Sequence, residues 1–145
     1  MKRSRLLQVS LPRIDALSVR GRLALAVAAK SPGRRAELLN HADKQARLLA
    51  KEARSDATVH ALLLQAGSAA LRGQREAALG LLDGVAEAAR EPAMALYAAT
   101  ALYRKGELLG GDAGPAVTEQ ACATMRTRGV AAPGRWAALY APGFV

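Results

Sequence analysis

The chain contains very few aromatic residues, although it is hydrophobic overall. Its 145 residues include one Trp, three Tyr and one Phe, while 51% of them are hydrophobic. Ile14 is the only isoleucine, and no alternating run of four or more β-branched or aromatic residues occurs. These absences exclude a β-rich fold and leave Ala and Leu to build the core. Small side chains favour closely packed helices, so we expect an all-α protein.

Cysteine and histidine are equally scarce, which limits the chemistry open to the chain. Cys122 is the single cysteine, so no internal disulfide can form and a reducing cytosol is its natural location. A nucleophilic Cys122 would need a base beside it, and no known motif ties His41 or His60 to it. Two histidines without nearby carboxylate or thiol spacing also make a poor metal site. We therefore expect a packed thiol, two boundary or surface histidines, and no catalytic, metal-binding or cofactor-binding residue.

Long hydrophobic runs are missing as well. The apolar segment 23–29 is far shorter than the roughly 20 residues that cross a bilayer. The basic start at residues 1–5 resembles an export signal, but Pro12, Arg13 and Asp15 interrupt the apolar stretch that should follow. The sequence therefore predicts a cytoplasmic chain with no membrane span.

A pair of helices is the clearest structure that the sequence contains. Two apolar stripes at three- and four-residue steps occupy residues 59–70 and 78–89, and polar residues fill the intervening positions. Gly73 lies between them, where a left-handed glycine can end the first helix. We expect the two stripes to face each other. Gly67, inside the first helix, is then expected to allow the second helix to come close.

The same reasoning divides the remaining chain into similar units. Helical hairpins are predicted at residues 12–53, 56–90 and 92–128, with Pro12 and Pro92 in first-turn positions. A short helix from Pro133 is expected to cap the array with three large side chains, Trp136, Leu139 and Tyr140. The length fits one domain. We therefore expect a basic leader at 1–11, which could be a disordered arm, and a single helical-repeat domain at 12–145.

These hairpins resemble degenerate tetratricopeptide repeats, which are helix pairs of about 34 residues. Gly67, the small residues Ala70 and Ala78, and Pro92 lie near the repeat's glycine, small and closing proline positions, but Leu or Ala fills its aromatic positions. Generic helix pairing could give the same pattern.

The resemblance also implies a surface for partner contact. In such arrays the first helix of each pair lines a concave groove. Arg13 and Arg20 lie seven residues apart, as do Tyr97 and Arg104, so each pair shares one face of such a helix. These four residues are our candidates for partner contact, and ordinary surface positions are the alternative.

A second resemblance lies near the C-terminus, in residues 94–111 and 136–144. It is to the C-terminal helical-repeat region of large myxobacterial signalling proteins, in which a eukaryotic-like Ser/Thr kinase domain precedes an ATPase module and a repeat tail. The chain itself has no kinase glycine-rich loop, His-Arg-Asp or Asp-Phe-Gly motif, and no phosphate-binding loop. The resemblance therefore implies a non-catalytic interaction or regulatory tail, whose phosphotransfer chemistry would belong to other segments.

Positive charge is concentrated at one end of the sequence. Residues 1–54 contain thirteen Lys and Arg against four Asp and Glu, which accounts for the whole formal net charge of +9. Three interpretations remain open: a solvated basic face or arm, an acidic protein or peptide partner, or nucleic acid. No zinc-finger spacing, RNA-binding aromatic signature or helix-turn-helix supports the last. An interaction module is therefore the main hypothesis, and a basic nucleic-acid-binding or transcription-linked module is its rival.

Overall fold

The computed structural model describes the backbone of residues 2–145 and the side chains from Leu11 onward. Across that range the chain forms seven α-helices and no strand. Single 3₁₀ turns at Pro32–Arg34 and Pro92–Met94 precede the second and fifth helices. The helices are α1 (Lys2–Lys30), α2 (Arg35–Ala50), α3 (Ser55–Leu71), α4 (Arg75–Ala88), α5 (Ala95–Leu109), α6 (Ala113–Thr127) and α7 (Pro133–Tyr140).

Consecutive helices pack as three antiparallel hairpins, α1 with α2, α3 with α4, and α5 with α6. The hairpins stack in chain order through contacts of α2 with α3 and of α4 with α5, and α7 packs against α5 and α6. The predicted all-α array of about three hairpins with a short C-terminal capping helix is therefore confirmed.

The first helix begins earlier than the sequence suggested. Pro12, expected in its first turn, lies inside α1. Proline is tolerated there because its fixed φ is helical, although it removes one backbone donor and crowds the preceding turn. Met1 and the side chains of residues 2–10 lie outside the description, so the predicted role of the basic leader at 1–11 stays a prediction.

Gly73 ends α3 as expected. Its φ is +74°, a left-handed conformation that favours glycine, and its N–H donates to the carbonyl of Ala70 at 3.0 Å. The chain then re-enters a helix at Arg75, so α3 and α4 are joined by a short turn and must run antiparallel.

The interior is built almost entirely from small and aliphatic side chains, as the composition requires. It divides into three clusters centred on the successive hairpins. The largest fully buried apolar side chains are Ile14, Leu25, Leu49, Val59, Leu63, Leu64, Leu82, Val85 and Met125. In the third hairpin the backbones come very close, since a Cβ on Gly106 would lie 2.2 Å from Thr118 Oγ1 and 2.9 Å from the carbonyl oxygen of Gly114. Side chains this small allow the helices to pack at short range.

The prediction for Gly67 identified a close approach but assigned it to the wrong neighbour. A Cβ at this position would lie 2.3 Å from the carbonyl oxygen of Pro142 and 2.9 Å from Leu25 Cδ1 of α1. Neither atom belongs to α4. Gly67 therefore makes room for the C-terminal segment and for α1.

Candidate binding cleft

The first helices of the three hairpins meet along one side of the array. α1 packs against α3, and the rings of His60 on α3 and Tyr97 on α5 are perpendicular, with their centroids 5.0 Å apart. We call the space beside these helices the inner cleft, bounded by Arg22 of α1, Gly67 of α3 and Arg104 of α5. It is the part of the fold where side chains from all three hairpins converge.

The inner cleft is filled by the chain itself. After α7 ends at Tyr140, residues Ala141–Phe144, here called the strap, run as a non-helical segment into the cleft. The first three strap residues are buried and Phe144 is half-buried, whereas the following Val145 is 95% exposed. Ala141 belongs to the same core cluster as side chains of α3, α4 and α5. The strap therefore occupies the cleft as a peptide ligand would.

Two glycines allow the strap backbone to touch the backbone of α3. The carbonyl oxygen of Pro142 lies over Gly67, as described above. In return, a Cβ on Gly143 would lie 2.8 Å from the carbonyl oxygen of Gly67. Gly143 also has φ of +105°, which side chains rarely adopt. A side chain at either position would force the strap and the helix apart.

Arg104 anchors the strap from α5. The residue is only 7% exposed, and its Nε donates a hydrogen bond of 2.9 Å to the carbonyl oxygen of Ala141. A second nitrogen pairs with Glu107 at 2.7 Å, and the guanidinium lies 5.2 Å from the ring centroid of Phe144. A buried guanidinium is costly unless it is paired and hydrogen-bonded, and these partners meet that requirement.

Arg22 of α1 holds the end of α7, immediately before the strap. One of its terminal nitrogens donates to the carbonyl oxygen of Leu139 at 3.1 Å, and its guanidinium lies 4.9 Å from the centroid of the Tyr140 ring. Its Nε is buried and has no hydrogen-bond partner among the described residues. An unsatisfied buried donor is destabilising, so the present contents of the cleft do not use all of its polar capacity.

The few aromatic residues of the chain gather around this site. Tyr97 meets Tyr140 edge to face with centroids 6.1 Å apart, and Tyr140 packs on Trp136 at 4.4 Å. Trp136 Nε1 donates to Thr100 Oγ1 at 3.1 Å. Tyr103 and Phe144, the remaining two, flank Arg104. Aromatic side chains bury much area and have a preferred geometry, so their concentration here fixes how α7 and the strap sit.

His60 is buried beside Tyr97, which corrects the expectation of a surface or boundary histidine. Its Nδ1 lies 3.2 Å from the Ser18 hydroxyl of α1. Burial lowers the pKa of His60 below its usual 6.5, and the positive charge of Arg22 lowers the pKa further, against weaker opposing effects of Asp56 and Asp15. Burial also raises the pKa of Tyr97, with Tyr140 adding to the shift. Both groups therefore favour their neutral forms.

A recess of about 340 Å³ remains between α1 and the end of α7. Its walls are mainly apolar, and Val19 and Leu23 of α1 are 43% and 60% exposed there. Leu139 of α7 completes this surface and is 58% exposed, although we expected it to help seal the array. The α1 side of the cleft is therefore only partly filled by the strap.

The four candidate contact residues have different surroundings. Arg13 and Arg20 are exposed on α1, and Arg13 pairs with Glu52 at 2.9 Å. Tyr97 is half-buried between the rings of His60 and Tyr140, and Arg104 is buried beneath the strap. The structure thus brings Tyr97 and Arg104 together at the cleft and leaves the two α1 arginines at the surface.

The cysteine and histidines that were considered for chemistry lie in different surroundings. Cys122 is buried in α6, as expected for a packed thiol. His41 is exposed on α2. Among the described residues, no three His, Cys, Asp or Glu side chains are grouped so that they could hold a metal ion. None of the described helices has the length and hydrophobicity needed to span a membrane.

Sequence reasoning missed Arg22, Gly67 and the strap as parts of one site. The helical periodicity places Arg22 on a polar flank, and Ala-Pro-Gly after α7 is an ordinary helix-ending sequence. The useful indication was the position of the rare aromatics, since four of the five lie in or beside α5 and α7 at residues 97, 103, 136 and 140.

Comparison with protein-family models, curated proteins and solved structures found no match to this chain.

Proposed function

We propose that this chain is a non-catalytic protein-interaction or regulatory module that binds an extended peptide segment of a partner. The observation that supports this proposal most directly is the inner cleft, in which a non-helical segment is held through the backbone carbonyl of Ala141 and by flanking aromatic rings. Arg104 donates to this strap oxygen, and Arg22 donates to the main-chain oxygen of Leu139 at the end of α7. Both arginines can therefore hold a backbone without selecting its side chains. Apolar walls with a few convergent polar groups are typical of ligand sites.

The resemblance of residues 94–111 and 136–144 to kinase-linked repeat tails supports a role in bacterial Ser/Thr kinase or ATPase signalling. In that setting the module would bring a substrate or regulator to a catalytic segment. Mapping the transcript that encodes this chain tests the idea. A kinase or ATPase domain in the same polypeptide would support it, whereas a separate transcript without such a domain would count against it.

Nucleic-acid binding is the alternative function, and the basic first hairpin favours it. Exposed basic side chains in this hairpin are Arg13, Arg20, Lys30, Arg34, Lys44, Arg47 and Lys51. Such a surface would attract phosphates or an acidic partner equally well. The two differ in their salt dependence, because each phosphate contact releases counterions.

The proposed function is tested by selecting a displayed random-peptide library on the full chain, alongside sedimentation velocity with short duplex DNA at low and moderate salt. We expect enriched peptides whose affinity changes only modestly with salt. The opposite pattern, no enriched peptide together with co-sedimentation with DNA that falls log-linearly with salt, would overturn the interaction module in favour of nucleic-acid binding.

A further inference from the structure

The strap is the one segment in the inner cleft that belongs to no helix. Residues 141–144 follow α7 and fill the space where all three first helices converge. We infer that the strap is an internal competitor for the inner cleft, and that the cleft accepts in its place a partner peptide with a small residue, Pro-Gly and an aromatic residue in succession. This inference rests on the proposed function and specifies its site, ligand class and regulation.

The small-residue and glycine positions follow from the approach of the two backbones, and the proline between them is the residue that the strap itself has there. Ala141 is 0% exposed, so a larger side chain at the corresponding ligand position would have no space. The next residue must place its carbonyl oxygen against Gly67. The residue after it must tolerate a positive φ and a backbone contact at 2.8 Å, which selects glycine.

The aromatic position follows from Arg104. This guanidinium is held by Glu107 and by the carbonyl of Ala141, and its face is covered by the ring of Phe144. An aromatic residue two positions after the proline is thus favoured by a cation–π contact in a partly buried setting. A ligand lacking that ring would leave the face of Arg104 open to water.

Two observations indicate that the strap is a replaceable occupant. The recess of about 340 Å³ beside Pro142 shows that the strap underfills the α1 side of the cleft. The buried Nε of Arg22 has no acceptor among the described residues. A partner peptide that supplied apolar bulk and one acceptor there would satisfy the donor and gain affinity over the strap. Such a peptide would therefore displace the strap, and the strap would occupy the cleft whenever this partner is absent.

Two alanine variants of the full chain separate the strap from the cleft. Gly143→Ala alters only the strap, so it should release the strap and leave the cleft intact. Gly67→Ala alters the wall of the cleft, so it should exclude both the strap and any similar peptide. Gly80→Ala, where a Cβ meets nothing within 4 Å, is the matched control.

The probe is a fluorescently labelled peptide of residues 141–145, titrated by anisotropy. Trp136 packs on Tyr140, the residue immediately before the strap, so its emission reports strap release. We expect the Gly143→Ala chain to bind the peptide at least tenfold more tightly than the wild-type chain. The Gly67→Ala chain should bind at least tenfold more weakly than the Gly143→Ala chain, and Gly80→Ala should match the wild type. A peptide carrying alanine in place of Gly143 should not bind to any variant.

Equal peptide binding by the Gly143→Ala and Gly67→Ala chains would overturn the inference, as would absence of binding by Gly143→Ala when Trp136 shows that the strap has left. If Gly143→Ala does not fold, Phe144→Ala weakens the strap without a backbone clash. We then expect the Phe144→Ala chain to bind the peptide more tightly than the wild-type chain, and equal binding by the two would overturn the inference. Library peptides that bind Gly67→Ala and wild type equally would leave the proposed function in place and refute this site. Failure of the library as well would refute both.

Discussion

Replacing Gly67 by alanine tests how the fold uses its closest backbone contact. Gly67 lies in the interior of α3, where alanine is normally preferred over glycine by about 1 kcal/mol because it reduces the entropy cost of ordering the chain. In this protein the added methyl would lie 2.3 Å from the carbonyl oxygen of Pro142. Helix propensity and packing therefore predict opposite effects of the same substitution.

The packing effect should be larger. The clash would release the strap, which relieves the overpacking but removes the charged hydrogen bond from Arg104, worth about 1.5–3 kcal/mol. After subtracting the helix-propensity gain of about 1 kcal/mol, we expect Gly67→Ala to destabilise the protein by about 0.5–2 kcal/mol. Gly80→Ala lies in a helix with open space around it and should stabilise by about 0.5–1 kcal/mol. The two alanine variants should then differ by roughly 1–3 kcal/mol, or about 3–10 °C in melting temperature.

Urea and thermal unfolding followed by far-ultraviolet circular dichroism measure this difference, and Trp136 emission reports the surroundings of α7 in the folded state. We expect Trp136 emission to change in Gly67→Ala and to stay constant in Gly80→Ala. If Gly67→Ala proved as stable as Gly80→Ala with unchanged emission, the close approach of strap and α3 would be refuted.

Three further substitutions test other parts of the structure. Arg104→Met keeps the side-chain volume but leaves the buried carbonyl of Ala141 without its donor, so we expect a loss of about 1–3 kcal/mol in urea unfolding, and a loss near zero would show that water replaces the guanidinium. Gly106→Ala places a methyl 2.2 Å from Thr118 Oγ1, and separation of α5 from α6 should lower stability by about 1–3 kcal/mol, measured by thermal unfolding. The pKa of His60 is lowered in the folded state, so the unfolded chain binds the proton more readily and stability should fall as the pH drops below 6.5, by at most about 1.4 kcal/mol per pH unit. His60→Gln should flatten the dependence of melting temperature on pH between about 7 and 5, and an unchanged slope would assign that dependence to other groups.

The sequence predicted only some of the residues of the candidate site. Tyr97 and Arg104 share one face of α5, which their spacing of seven residues already indicates, and both lie at the cleft. Arg13 and Arg20 have the same spacing on α1, but they are exposed, because spacing fixes relative position on a helix and does not fix which neighbour covers that face. His60 was expected at the surface or its boundary for the same reason, since its burial depends on α1 and α5.

The sequence alone determined the all-helical class, the hairpin divisions and the short turns between them. Those features depend on apolar periodicity, glycine and proline positions, and the shortage of strand-forming residues, all of which act within a few residues along the chain. The tertiary structure decided that Gly67 meets Pro142, that Arg22 holds the end of α7 and Arg104 holds the strap, and that the strap fills the inner cleft. Gly67 and Pro142 are brought together by the packing of whole helices, so the steric fit between them is invisible until the hairpins are stacked.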